Sequence, residues 1–188
     1  MADVTPDAVL DFWFDGERER DEWFRKDAAF DALIGERFAA TIDAALAGRL
    51  DGWDRSADGA LARIVVLDQF TRNVFRDTPR AFAGDAQALA AARAMVARGD
   101  DLRLAAVRRW FAYLPFEHAE NLDDQREALR LFERLGQDAP ALAGLLEWAQ
   151  KHHVIIERFG RFPHRNALVG RTSTADEVEF LQTPGSSF

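Results

Sequence analysis

The chain has 188 residues, of which 48% are hydrophobic and 11% aromatic, so it carries enough apolar material for a buried core and is not an intrinsically disordered segment. It contains no cysteine, which excludes disulfides, thiolate metal ligands and cysteine nucleophiles. Its net charge of −8 argues against a nucleic-acid partner, because phosphate binding is driven by clustered cations.

The first residues of the chain lack the basic stretch and the long apolar stretch of a secretion signal. No segment approaches the roughly 20 consecutive apolar residues that a membrane-spanning helix needs. We therefore expect a cytoplasmic protein that has no membrane partner.

Helix signals recur in the first half of the chain, and strand signals are nearly absent. Thr5 and Pro6 are typical of an N-cap followed by a first-turn proline, and open a short amphipathic helix. Apolar residues at helical spacing predict a second helix over 27–47, stopped by Gly48, and a third over 61–75. A fourth is expected over 86–97 and ends at Gly99.

The second half continues the helical pattern. It predicts helices over 102–114, 117–135 and 139–159, with a break at Pro115 and a stop at Gly136. Residues 159–173 are irregular, and a capping box from Thr174 to Glu177 opens a short last helix. Because no long Gly/Ser/Pro linker divides the chain, residues 1–188 are predicted to form a single all-α domain, a helical array or bundle of about seven to nine helices.

Polar residues form a contiguous stripe on the third predicted helix. The stripe consists of Asp68, Gln69, Arg72, Asn73 and Arg76. Asp68 and Arg72 are one turn apart, which suits an ion pair. The stripe is either a solvated face or a buried polar network. Asp68 and Arg72 continue the apolar line of the preceding turns, which favours a buried network that must be paired or functional.

Histidines interrupt apolar faces on two later helices. His118 and Gln125 share an apolar face of the helix predicted over 117–135, and Glu117 and Glu120 fall at its start, where the helix dipole favours carboxylates. His153 lies on the apolar face of the following helix. A lone histidine on such a face is more often a satisfied core residue than a ligand, so both interpretations stay open.

The irregular segment over 159–173 is rich in arginine. Between residues 151 and 171 the chain carries five cations and one acid, although the whole protein is acidic. Arg161, His164, Arg165, Asn166 and Arg171 fall here, and the arginine fork suits a carboxylate or a phosphate. Alternatively, these arginines hold the segment in place by pairing with carboxylates elsewhere, the candidates being Asp68, Glu117 and Glu120.

Five blocks of the sequence resemble DUF924, a bacterial family of unknown function, and together they cover nearly the whole chain. The blocks are Asp11-Phe12-Trp13-Phe14; Trp23-Phe24 with Asp27, Phe30 and Asp31; Leu67-Asp68-Gln69-Phe70 with Arg72-Asn73 and Phe75-Arg76; Tyr113-Leu114-Pro115-Phe116-Glu117-His118 with Glu120 and Gln125; and Arg158 to Asn166 with Gly170-Arg171 and Ser173-Thr174. The resemblance implies an all-helical fold similar to tetratricopeptide arrays. It implies no reaction.

The first functional hypothesis is a polar pocket that binds a small anionic molecule. Its predicted ligand-binding residues are Asp68, Arg72, Asn73, Arg76, His118, Glu120, Arg161, Arg165 and Asn166. Glu117 and His164 are the candidates for general acid or base catalysis, if burial shifts their pKa towards neutrality. The sequence leaves open whether the protein is an enzyme.

Two alternatives concern a metal and a partner. A metal site would draw on Glu117, Glu120, His118, His153 or His164, but the chain lacks the helical Glu-x-x-His spacing of such sites, and we predict neither a metal nor another cofactor. The alternative function is a helical scaffold that binds a peptide or protein, in which the polar network is purely structural. Trp13, Trp23 and Trp110 would then be exposed anchors.

Overall fold

The computed structural model describes residues 4–16 and 20–187, and within those ranges it contains helices and no strand. The α-helices are α1 (Pro6–Phe14), α2 (Ala28–Leu46), α3 (Ala57–Ile64), α4 (Thr71–Val74), α5 (Asp85–Arg98), α6 (Ala106–Glu117), α7 (Leu122–Asp138), α8 (Leu145–Phe159) and α9 (Ala175–Phe180). A π-helical segment, Val65–Phe70, joins α3 to α4. Short 3-10 turns cover Asp21–Trp23, Asp51–Arg55, Pro79–Phe82, Asp100–Arg103, Pro140–Leu142 and Pro163–Arg165. The all-α prediction is confirmed.

The N-terminal half is built around α3 and the π segment. The helix α3 packs on α1, α5 and α6, while the π segment packs on α2, α5 and α6. Each of the residues from Ala60 to Phe70 is buried, including the polar ones. The continuous rod that α3 and the π segment form, called the central rod below, is therefore the centre of the fold. The sequence predicts this, because the first half of the third predicted helix is apolar on all sides.

One hydrophobic core extends from α1 to α8, and a smaller cluster of Ile155, Ile156 and Phe162 lies where α8 meets the segment that follows it. In the second half α7 packs on both α6 and α8. No helix in the described ranges is long and apolar enough to cross a membrane. The tetratricopeptide-like arrangement stays a prediction.

Several helix ends follow the sequence signals. The Thr5 side chain accepts from the backbone N–H of Ala8, with Pro6 at the first helical position. The Asp27 side chain accepts two backbone N–H groups at the start of α2. The α5 helix ends at Gly99 with φ of 70°, and the capping box of Thr174 and Glu177 opens α9.

The predicted break at Pro115 is wrong. Helix α6 runs through Pro115 to Glu117, and His118 is its C-cap. The next helix begins only at Leu122, where the side chain of Asn121 accepts the N–H groups of Asp123 and Asp124. Glu117 and Glu120 therefore do not lie at a helix start. A proline near a C-terminus deprives the helix of only one hydrogen bond, and the buried end of α6 is held by other contacts.

The predicted stop at Gly136 is also wrong, since α7 continues to Asp138. Gly136 has a different role, because a Cβ at this position would lie 3.0 Å from the Cα of Ala143. The glycine lets the chain turn back closely after Pro140 and enter α8. The sequence signal therefore reflects a close backbone approach rather than a helix terminus.

Candidate functional site

Asp68 is the centre of a buried polar cluster on the π segment. Its side chain is 1% exposed. Its Oδ1 lies 2.8 Å from His118 Nδ1 and 3.0 Å from a guanidinium nitrogen of Arg72, and Gln69 Nε2 donates to Oδ2 at 2.5 Å. Burial alone would raise the pKa of Asp68, but Arg72 and His118 hold it well below its usual range. Asp68 is therefore a carboxylate at neutral pH.

The backbone of the π segment explains why both Asp68 and Gln69 are buried. A π turn inserts an extra residue into the helical ladder, and such turns are frequent at functional sites. Gly84, which precedes α5, packs directly on this segment, since a Cβ there would lie 2.1 Å from the Leu67 carbonyl oxygen. That approach brings the first residue of α5, Asp85, beside Arg72. The solvated-face interpretation of the stripe is thus wrong for Asp68, Gln69 and Asn73, all buried.

Arg72 and Arg165 share the carboxylate of Asp85. Arg72 binds it with two hydrogen bonds, at 2.9 and 3.1 Å, and Arg165 donates to Oδ2 at 3.3 Å. The Arg165 guanidinium also lies over the rings of Phe82 and Phe162, 4.8 and 4.5 Å from their centroids. Burial, together with the positive charge of Arg72, lowers the pKa of Arg165 to about 10. Arg165 therefore remains a cation at neutral pH. Its positive charge is compensated only in part, because it shares Asp85 with Arg72.

A cleft with a volume of about 290 Å³ opens beside this cluster. It lies among the first turn of α5, the link between α6 and α7, and the segment after α8. Its lining residues are Phe82, Asp85, Ala86, Leu89, Pro115, His118, Ala119, Glu120, Asn121, Asp124, Arg165, Val169 and Arg171. Ligand pockets span roughly 300–1,000 Å³, so the volume of this cleft lies at the lower limit of that range.

His118 lies at the cleft because the end of α6 is fixed from α7. The buried amide of Gln125 donates to the carbonyls of Phe116, Glu117 and Ala119, at 3.3, 2.6 and 2.9 Å. These bonds satisfy carbonyls that a helix terminus leaves without partners. Burial lowers the pKa of His118 and outweighs the opposing charge of Asp68. The imidazole is consequently neutral at neutral pH.

Glu117 and His152 form a second buried pair, which does not reach the cleft lining. His152 Nδ1 lies 3.0 Å from Glu117 Oε1 and 2.9 Å from the Trp148 carbonyl oxygen. Burial and then the charge of Asp68 raise the pKa of Glu117 to about 8, and burial lowers the pKa of His152 to about 3. The pair is therefore uncharged at neutral pH.

The arginine-rich segment is held to the body of the protein by two carboxylates. Glu120 binds Arg171 with two hydrogen bonds and accepts the backbone N–H of Phe162 at 2.8 Å. Glu177 binds Arg161 at 2.6 and 2.8 Å and also accepts from Asn166 at 3.2 Å. Arg161 and Asn166 thus have a structural role. The pairing of Arg171 with Glu120 agrees with the alternative in which these arginines anchor the segment.

Asn73 and Arg76 face away from the cleft, towards α2. Asn73 Nδ2 donates to Asp31 Oδ1 at 2.7 Å, and Arg76 binds both oxygens of Asp31, at 2.5 and 3.0 Å. They connect α4 and the turn that follows it to α2. His164 does not line the cleft either: its ring lies 5.7 Å from that of Phe162, and burial lowers its pKa to about 4.

Of the predicted site residues, His118, Glu120 and Arg165 line the cleft, and Asp68 and Arg72 lie directly behind it. Sequence reasoning missed Asp85 as a site residue. An acid in the first turn of a helix is ordinary, and only the packing of Gly84 brings it to Arg72. Within the described ranges, no group of three or more histidine or carboxylate side chains is arranged to hold a metal ion.

Comparison with known proteins gives a family and a fold. A family model described as bacterial protein of unknown function (DUF924) matches residues 9–185. The solved structure of the protein of unknown function ATU0120 from Agrobacterium tumefaciens is 41% identical, with a TM-score of 0.85 over 94% of this chain and 96% of that one. No curated protein matches the chain. The likeness agrees with the all-helical fold and brings no named reaction.

Proposed function

The chain belongs to the DUF924 family of bacterial proteins of unknown function, and from the geometry of its cleft we propose that it binds a small anionic molecule at Arg165 and Arg171. The observation that carries this proposal is a shortage of acceptors around the buried Arg165 and the half-buried Arg171. Within the described ranges, the buried Nε–H groups of both arginines have no hydrogen-bond partner. An unpaired buried N–H costs about 1–3 kcal/mol, and more when it is charged, so the negative charge of an anion in the cleft would stabilise both guanidinium groups.

The carboxylates that line the cleft do not oppose this proposal. Asp85 is bound by Arg72, Glu120 by Arg171 and Asp124 by Arg93, each through more than one hydrogen bond. Their charge is therefore largely compensated by neighbouring guanidinium groups. The cleft also meets the first turn of α5, where the helix dipole and backbone N–H groups favour a negative charge.

The three tryptophans that would anchor a peptide or protein under the scaffold hypothesis are not exposed. Trp13, Trp23 and Trp110 are 0%, 5% and 8% exposed and belong to the core. The aromatic side chain that is exposed next to Trp110 is Phe24, which stacks on it at a centroid distance of 5.0 Å. A single phenylalanine offers much less contact area than the three tryptophans, so we favour the anion-binding cleft.

Thermal unfolding in the presence of defined anions tests the proposal. We expect phosphate or a small dicarboxylate to raise the Tm of the wild type above that in chloride of equal ionic strength. A ligand at 100 times its Kd stabilises the folded state by about 2.7 kcal/mol. The Arg165→Gln variant should lose this shift, because it removes the buried cation.

Arg134→Gln provides the matched control, since Arg134 is an exposed arginine on α7 outside the cleft. It should keep the full shift. Circular dichroism establishes that each variant is folded. An anion response that is equal in the wild type and Arg165→Gln, or absent from the wild type, would rule out binding at Arg165.

A further inference from the structure

His118 combines a buried carboxylate partner with a position on the cleft. Its Nδ1 lies 2.8 Å from Asp68 Oδ1, and the side chain is 16% exposed where it meets the cleft. Asp68 itself is held by Arg72 and Gln69, so the carboxylate cannot rotate away. The imidazole is thus oriented from behind by a fixed group.

The hydrogen bond with Asp68 determines which nitrogen of His118 carries the proton. An ionised carboxylate only accepts hydrogen bonds, so Nδ1 must be the donor. The neutral ring then has its lone pair on Nε2, for which no hydrogen-bond partner exists within the described ranges. A histidine held in this way by an aspartate is the arrangement that general bases use.

The side chains that line the cleft beside this base carry no hydroxyl, thiol or amine nucleophile, and the three carboxylates among them are each bound by an arginine. The lining contains no serine, threonine, tyrosine or lysine, and the chain has no cysteine. The chemistry that remains for the neutral imidazole is removal of a proton from a bound molecule. After that step the imidazolium would be stabilised by the adjacent charge of Asp68.

We propose that His118 is a general base that takes a proton from a small carboxylate or phosphate anion anchored at Arg165 and Arg171, with Asp68 as its positioning residue. The inference rests on the proposed anion binding. The proton passes from an O–H or C–H group close to the anionic end of the ligand to His118 Nε2, and its bonding electrons stay on the ligand. Nδ1 keeps its proton throughout.

Several charged or titratable groups surround His118 and set its proton affinity. They are Asp68 on the central rod, Arg72 on α4, Arg165 and His164 on the segment after α8, His152 on α8, and Glu117 next to it in the chain. The arginines disfavour the imidazolium and Asp68 favours it. A bound anion would offset the arginines, so the ligand and the transferred proton support each other's binding.

Nitrogen-15 NMR of the histidine rings tests the assignment without a known substrate. We expect His118 in the wild type to be the Nδ1–H tautomer at neutral pH, whereas free histidine favours Nε2–H. In Asp68→Asn the amide can donate to Nδ1, which would move the ring proton to Nε2. An Nε2–H tautomer in the wild type would overturn the proposal, even if Asp68→Asn did not fold.

Modification with diethyl pyrocarbonate tests access to the lone pair, because the reagent acylates neutral imidazole nitrogen. We expect His118 to be modified at pH 7, as identified by peptide mass spectrometry, and phosphate to slow the reaction. Asp68→Asn should slow it about tenfold or more, since a protonated Nε2 cannot attack. His153→Gln is the control and should leave the rate at His118 unchanged.

The two proposals fail in different ways. If phosphate raises the Tm of the wild type but His118 does not react, anion binding stands and the general base is wrong. If His118 reacts and phosphate neither protects it nor raises the Tm, anion binding at the cleft is wrong, and with it the inference that depends on it.

Discussion

Gly84 lies so close to the Leu67 carbonyl group that a Cβ on residue 84 would be 2.1 Å from its oxygen. The contact joins the start of α5 to the π segment, two elements that are separated along the chain by α4 and a 3-10 turn. It fixes the position of Asp85 beside Arg72, and Asp85 in turn binds Arg165. One side wall of the cleft therefore depends on a residue that has no side chain.

We expect Gly84→Ala to destabilise the protein by about 1–3 kcal/mol, because the added methyl group would overlap backbone atoms that have no free rotation to relieve the clash. Urea denaturation measures the change in the free energy of unfolding. Gly144→Ala is the matched control: a Cβ there has nothing within 4 Å and its φ is −64°. Equal stability of the two variants would contradict the role assigned to Gly84.

The amide of Gln125 provides a second prediction. Gln125→Leu should destabilise the fold by about 1–3 kcal/mol, since it removes the donor shared by three carbonyls at and just beyond the end of α6. Hydrogen exchange should become faster at His118 and Ala119, whose backbone N–H groups bond within that helix end. Gln182→Leu, at an exposed position, is the control. Unchanged exchange at His118 would show that other contacts fix this end.

Sequence reasoning predicts the parts of this fold that are encoded locally. The caps at Thr5 and Gly99 depend on neighbours within one turn, and the Asp68–Arg72 pair depends on helical spacing. All three are present. The break at Pro115 is wrong because its outcome depends on Gln125, which bonds the carbonyls just beyond the proline from the next helix.

The contacts of the site residues also depend on partners that are distant along the chain, so local sequence patterns do not predict them. Helical spacing places Asn73 and Asp68 on the same polar stripe, yet Asn73 binds Asp31 and Asp68 binds His118. The π turn shifts the phase of the helix between these residues, and such a turn has no marker in residue spacing. Long-range pairing of Arg161 with Glu177 is equally hidden, because both charges have other candidate partners in the sequence.

Glu177 leads to a prediction about acid stability. Its hydrogen bonds with Arg161, outweighing the effect of burial, lower its pKa to about 2 from 4.5. A carboxylate with a depressed pKa contributes stability that is present above about pH 4.5 and is lost as the pH falls towards 2. The wild type should therefore be more stable than Glu177→Gln at pH 7, and the difference should shrink on acidification. Glu179→Gln, at an exposed position on the same helix, is the control.

Glu117 gives a prediction of opposite sign at the buried pair with His152. Burial and the charge of Asp68 raise its pKa from 4.5 to about 8. The folded state therefore holds this proton more tightly than the unfolded state, and the associated stability is complete below about pH 4.5 and is lost as the pH rises through 8. We expect the stability of the wild type to fall relative to Glu117→Gln over this range, because the amide cannot ionise.

Urea denaturation at steps between pH 4.5 and 9 measures the difference between the wild type and Glu117→Gln. The difference must be used because His152 acts in the other direction: burial lowers its pKa to about 3, so its contribution is lost as the pH falls below 6.5. Glu133→Gln, an exposed substitution on α7, is the control. A constant difference for Glu117→Gln would mean that Glu117 is ionised in the folded protein throughout this range, which would contradict its raised pKa.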